Sequence, residues 1–193
     1  MKHIFYHLTA VMVVVVWGMT FISTKVLIVH GLSAQEIFLF RFLLAYAAVC
    51  PISFHRFFAR NLKDELYLVG GGVLGGSLFF FLQNIALGLT QASNVSFIIC
   101  MAPLLTAVLT VLSVRTEKVS RGFIYGSIIA LLGVGLLIFN GSFILRISPL
   151  GDLLTLLASL SWAFYSLVIR SLTRKYSPAF ITRKIFFYGI ITI

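Results

Sequence analysis

The stretch HLTAVMVVVVWGMTFISTKVLIV, from His7 to Val29, carries one formal charge, Lys25, in about 23 residues. A helix rising ~1.5 Å per residue crosses ~30 Å of hydrocarbon in ~20 residues, so this run is long enough to span a bilayer. At about 100° per residue, Trp17, Thr20, Phe21, Thr24 and Lys25 share one sector, and Val15, Met19, Ile22 and Val26 lie opposite. Such a helix turns its polar front to other helices or a cavity and its apolar back to lipid. The design then recurs. WAFYSLVIR from Trp162 matches WGMTFISTK from Trp17, a tryptophan followed by a cation at the same spacing, about 145 positions later.

Composition agrees with a membrane solvent. Of 193 residues, 60% are hydrophobic and 10% charged, and the mean hydropathy is +1.08; soluble domains carry about 25% charge. The net charge of +10 lies mostly between apolar spans, which reads as topology rather than a nucleic-acid face. Cys50 and Cys100 fall within apolar spans and read as buried free thiols. The N-terminal run is too long for a signal peptide, lacks a small-x-small cleavage site, and reads as a retained helix. His3, His7, His30 and His55 stand at span edges, and Glu36, Asp64, Glu65, Glu117 and Asp152 stand in or near loops. Intramembrane hydrolytic or metal chemistry is therefore not expected, and neither a catalytic residue, a metal nor a cofactor is assigned.

The chain reads as six complete spans and a partial seventh. Gly31 and Ser33 break and cap the first turn. Helix two runs from about Glu36 to Phe54 and carries Arg41. Helix three, about Leu66 to Leu87, contains GGGVLGG. No lysine follows these glycines, so close helix approach at Gly72 and Gly76 is preferred over a phosphate loop. Gln83 and Asn84 in that helix are polar groups at membrane depth that need partners. Helix four, Asn94 to Val114, should kink near Ile99, one turn before Pro103. Helix five, Gly122 to Phe139, again spaces two glycines by four, at Gly122 and Gly126. Helix six opens at Pro149 with Asp152 as an N-terminal cap. The last apolar run is Phe180 to Ile193.

Lys and Arg cluster after helices two, four and six: Arg56, Arg60 and Lys63; Arg115, Lys118 and Arg121; Arg170, Arg174 and Lys175, with Arg183 and Lys184 just beyond. Arg146 alone follows helix five. The positive-inside rule then places the N-terminus in the cytoplasm and turns helices one and six in opposite directions. The expected architecture is an all-α polytopic membrane bundle, with a five-helix repeat over residues 1–148 and the start of an inverted second repeat over 149–193. A full two-repeat chain would run to roughly 290 residues, so the chain is expected to be a truncated form, inactive by itself.

W-G-x-x-F-x-x-x-K at Trp17–Lys25, R-F-L-L-A at Arg41–Ala45, A-P-L-L-T-A at Ala102–Ala107 and the run from Gly151 to Tyr165 together resemble the EamA-type exporters of the drug/metabolite transporter superfamily. The resemblance implies a ten-helix carrier in a bacterial cytoplasmic membrane, exporting amino acids and other small metabolites. Its partners would be a small-molecule substrate and the lipid bilayer, with no nucleic acid. The candidate substrate-lining residues are Trp17, Thr20, Thr24, Lys25, Arg41, Gln83 and Asn84, with Trp162 and Tyr165 from the second repeat, and Pro103 is the candidate hinge. Lys25 has two readings, snorkelling to headgroups or lining the cavity. Trp17 and Trp162 either pack between repeats or line it. Two cations and no acid at this depth favour a substrate with a carboxylate or other anionic group. A non-transporting helical scaffold is the alternative reading.

Overall fold

The computed structural model describes residues 2–53, 56–113, 120–139 and 148–193. The expected loop residues His55, Arg115, Glu117, Lys118 and Arg146 lie outside them. Among the described residues the fold is entirely helical: a polytopic helix bundle. Five helical stretches are long and apolar enough to cross a membrane: Ile4–Val29, Ala34–Ser53, Leu62–Leu89, Ala92–Ser113 and Pro149–Arg170.

Helix α1, Lys2–Val29, ends in two bonds that close a left-handed turn. Leu32 N–H donates to Leu27 O at 3.1 Å and Gly31 N–H to Ile28 O at 3.0 Å. Gly31 takes φ +96°, which a side chain would resist. Ser33 then starts α2, Ala34–Val49, with a reciprocal cap: Glu36 N–H donates to Ser33 Oγ, and Ser33 N–H donates to Glu36 Oε2. A tight turn, Cys50–Ser53, follows.

Helix α3, Leu62–Gly71, is capped by Asn61 and continues through a π-helical segment, Gly72–Leu78, into α4, Phe79–Leu89. The glycines let backbones meet here, as the sequence predicts. A Cβ on Gly72 would lie 2.4 Å from Tyr188 Cβ, and one on Gly76 would lie 3.2 Å from Gly189 Cα. The wider turn falls where another helix contacts a carbonyl: Ser161 Oγ donates to Leu74 O at 2.7 Å.

The predicted kink is a break. Helix α5 spans Ala92–Ile99, α6 spans Ala102–Ser113, and Pro103, lacking an N–H, stands in the first turn of α6. Ser159 Oγ donates to the Ile98 carbonyl at 3.3 Å just before the break. Helix α7, Arg121–Phe139, has 19 residues, near the ~20 a crossing needs. The Gly122 and Gly126 pair does not serve close approach: nothing described lies within 4 Å of either added Cβ. Helix α8 is Pro149–Arg170 and α9 is Pro178–Ile191, a 14-residue helix.

Two pairs of helices distant in sequence run in opposite directions. Lys25, late in α1, and Asp152, in the first turn of α8, meet at Thr90, while Trp17 and Trp162 meet halfway along. Arg183, early in α9, reaches carbonyls of Ser53 and Arg56 beyond the end of α2, whereas Phe42 in mid-α2 meets Phe186. Thus α1 and α8 are antiparallel, and so are α2 and α9. One apolar core gathers Phe21, Phe79, Leu87, Val95 and Ile99 against Ala158; another gathers Leu68, Ile169, Leu172, Phe180 and Ile185.

Two expectations are corrected. Neither cysteine is buried: Cys50 is half-buried, and Cys100, at the break between α5 and α6, is exposed on the surface of the bundle. Arg183 and Lys184 are more than charges at a helix end. They are 2% and 3% exposed, because α9 packs its first turns against α3 and the end of α2.

Candidate functional site

Trp162 stands at the middle of the bundle. Its ring lies 6.1 Å from Trp17, 4.8 Å from Phe79 and 5.0 Å from Tyr165, centroid to centroid. The contact chain continues from Phe79 to Phe80 to Phe42, linking α8, α4 and α2 through aromatic edges and faces. The tryptophan pair joins α1 to α8. Trp162 also lines a cavity of about 360 Å³ with Pro103, Thr106, Ala107, Phe123 and Ser166.

That cavity is lined by α6, α7 and α8 beside the proline break. Thr106 Oγ donates back to Ala102 O at 2.8 Å and Ser166 Oγ to Trp162 O at 2.9 Å. Both hydroxyl protons are therefore used within their own helices, and each oxygen keeps lone pairs for a donor on a ligand. The sequence reading includes Pro103 and Trp162 but misses Thr106, Phe123 and Ser166. Thr106 lies three residues after Pro103 and Ser166 four after Trp162, a helical spacing that marks one face each.

The remaining candidates gather on α1, α2 and α4. Arg41 donates to Thr24 Oγ1 at 3.2 Å and lies over the Phe80 ring, its Cζ 5.5 Å from the centroid. Thr24 is 2% exposed. Among the described residues no carboxylate pairs with Arg41, so most of its five donors remain for another acceptor. Thr20 spends its hydroxyl proton on Trp17 O at 2.6 Å. Asn84 Nδ2 donates to Ala34 O at 3.1 Å and ties α4 to the start of α2.

Gln83 is different. It is fully buried, and neither its Nε2 nor its Oε1 has a hydrogen-bond partner among the described residues. It lies one turn beyond Phe79, the residue against Trp162. An unpaired buried amide costs about 1–3 kcal/mol, so this group marks a place where a polar partner would be gained.

Lys25 reaches the end of a neighbouring helix. Its Nζ donates to the carbonyls of Leu87 and Thr90, the latter at 3.0 Å, and so closes the C-terminal end of α4. A cation suits the negative end of a helix and satisfies carbonyls that have no partner within it. Asp152 fulfils its expected capping role, accepting from Ser148 N–H at 3.2 Å, and also accepts from Thr90 Oγ1 at 3.3 Å.

The opposite end of the bundle is fastened more heavily. Lys184 pairs with Glu65, and Tyr188 donates to the same carboxylate. Asp64 accepts from Lys175 Nζ at 2.8 Å and from Tyr176 Oη at 2.9 Å. The bond to Asp64 holds the Lys175 ammonium above the usual lysine range. These pairs join α3 to the α8–α9 turn and to α9, and sequence reasoning missed them. The acids read as loop residues and the cations as topology signals; neither reading identifies a partner more than 110 positions away.

A sequence model of the EamA-like transporter family matches residues 4–139, from α1 to the end of α7. No curated protein and no solved structure matches the chain.

Proposed function

Because the chain belongs to the EamA-like transporter family, a family of multi-pass membrane transporters, we propose that it moves carboxylate-bearing metabolites, amino acids among them, by alternating access. The observation that carries this reading is Arg41. Its guanidinium is held inside the bundle by a hydroxyl and an aromatic face, with no carboxylate to neutralise it among the described residues. A charge placed there at a cost in desolvation is used where an anionic group arrives to meet it. Gln83 offers an amide to the same ligand, and Trp162 carries the contact toward the cavity beside Pro103.

The antiparallel pairing of α1 with α8 and of α2 with α9 supports an inverted repeat, whose interface is where such carriers bind. In this reading the break at Pro103 gives α6 freedom to move against α8 as the cavity opens to each side in turn. The polar fastening through Glu65, Lys184 and Asp64 forms the closed end, and the Lys25–Thr90–Asp152 contacts form the lighter end. From the Lys and Arg distribution we read the fastened end and the N-terminus as cytoplasmic, and we take a bacterial membrane and outward transport from the exporter resemblance. With native cysteines replaced by serine, a cysteine at Gln35 should label from outside intact cells and one at Lys63 should not.

Transport itself is tested in inside-out vesicles from cells expressing the protein. A radiolabelled amino-acid mixture should accumulate, and a quaternary ammonium probe should not. Accumulation of the cation alone would contradict the substrate class. Accumulation of neither would favour a scaffold.

A further inference from the structure

A cavity of about 320 Å³ opens at the fastened end of the bundle, remote from Trp162, where α2 ends and α9 begins. Arg56, Arg60 and Lys175 line it, together with Ile52, Tyr176 and Phe180. Asp64 takes one proton of Lys175 but is itself 2% exposed, behind the wall. Among the described residues no carboxylate pairs with Arg56 or Arg60. Two carbonyls of the wall are already occupied, since Arg183 donates to Ser53 O and Arg56 O, and the Tyr176 hydroxyl accepts from Arg60 N–H. The cavity therefore presents donors and positive charge, with few acceptors to repel an anion.

Its position narrows the ligand. The cavity lies just past the apolar stretch that ends at Ser53 and beside the one that begins at Leu62, at the depth of lipid headgroups. Ile52, 73% exposed, and the buried Phe180 line the cavity together with these cations. A soluble anion gains nothing from such neighbours, whereas a phospholipid brings both a phosphate and a glycerol–acyl base. We propose that this cavity binds the phosphodiester headgroup of an anionic phospholipid, with Arg56 and Arg60 on the phosphate oxygens and Ile52 and Phe180 against the acyl ester region. The site does not depend on the transported substrate. It couples the packing of α2 against α9 to membrane composition, because Arg56 and Ser53 are the residues that Arg183 holds.

The test uses the chain in nanodiscs of phosphatidylcholine with increasing phosphatidylglycerol, read by native mass spectrometry of retained lipid. Preferential retention of phosphatidylglycerol is expected, reduced roughly 25-fold in Arg56→Gln/Arg60→Gln, about fivefold per cation. Arg121→Gln, an exposed cation outside the cavity, should retain it as the native chain does. Circular dichroism checks the fold; if the double variant does not fold, Arg60→Gln alone should lose about fivefold. Equal retention of the two lipids, or equal loss in Arg121→Gln, would overturn the site in favour of diffuse surface charge. If glycerol 3-phosphate or inorganic phosphate displaces the lipid equally well at comparable concentration, the occupant is a soluble phosphate and the lipid assignment fails.

Discussion

Arg41 of α2 reaches Thr24 of α1 with a 3.2 Å hydrogen bond while its guanidinium lies over Phe80 of α4. Three helices thus converge on one cation whose partners are all neutral. A neutral hydroxyl and a ring face fix its direction without cancelling its charge. That leaves a preorganised positive site between aromatic walls, and the rest of the molecule can be read by how it holds those walls in place.

Lys25 helps to hold α1 against the end of α4. Lys25→Met keeps the aliphatic stem and removes the donor to Leu87 and Thr90. Thermal unfolding in detergent should show a loss of about 1 kcal/mol, the scale of a charge at a helix end, with substrate affinity unchanged. Lower affinity at unchanged stability would return Lys25 to the cavity.

The Glu65–Lys184 pair is nearly dry, with side chains 15% and 4% exposed. Removing one partner strands the other, so Lys184→Met should cost about 3 kcal/mol or more in a denaturation assay, as should Glu65→Gln. The double substitution should cost less than the sum, since no buried charge is left alone. Additive losses would show that the two do not act as a pair.

Gly72 is a packing contact with no slack. Gly72→Ala puts a methyl 2.4 Å from Tyr188 Cβ and 3.2 Å from Gly189 N, neither a flexible end, so α9 must shift. A loss of about 1–3 kcal/mol is expected, together with faster proteolysis of the α8–α9 turn. Gly18→Ala meets nothing within 4 Å and should be silent. Equal behaviour of the two variants would contradict the close approach.

What the sequence discloses is local. The turn at Gly31 and Ser33, the break before Pro103, the approach at Gly72 and Gly76 and the cap at Asp152 each follow from residues within one turn or one helix. The face shared by Trp17, Thr24 and Arg41's neighbours is legible for the same reason. The destination of a long side chain is not. Lys25, Arg183 and Lys184 each reach another helix, and helical periodicity gives the face a residue occupies but not which helix end lies beside it. Gln83 was legible as a polar group needing a partner; that it has none among the described residues is visible only once every neighbour is in place. Thr106 and Ser166 read as ordinary helix residues, and only the packed structure puts both on the wall of one cavity.

The central claim is that Arg41 meets the substrate's carboxylate. Its most direct test is the initial rate of labelled amino-acid accumulation in inside-out vesicles, compared at equal membrane content for the native protein, Arg41→Lys and Arg41→Gln. Losing a charge-assisted bond of about 1.5–3 kcal/mol predicts a fall of roughly ten- to a hundredfold for Arg41→Gln. Arg41→Lys should recover part of it, since the charge remains but the planar fork is lost. A native rate in Arg41→Gln would contradict the account, leaving Arg41 as a tie between α1, α2 and α4.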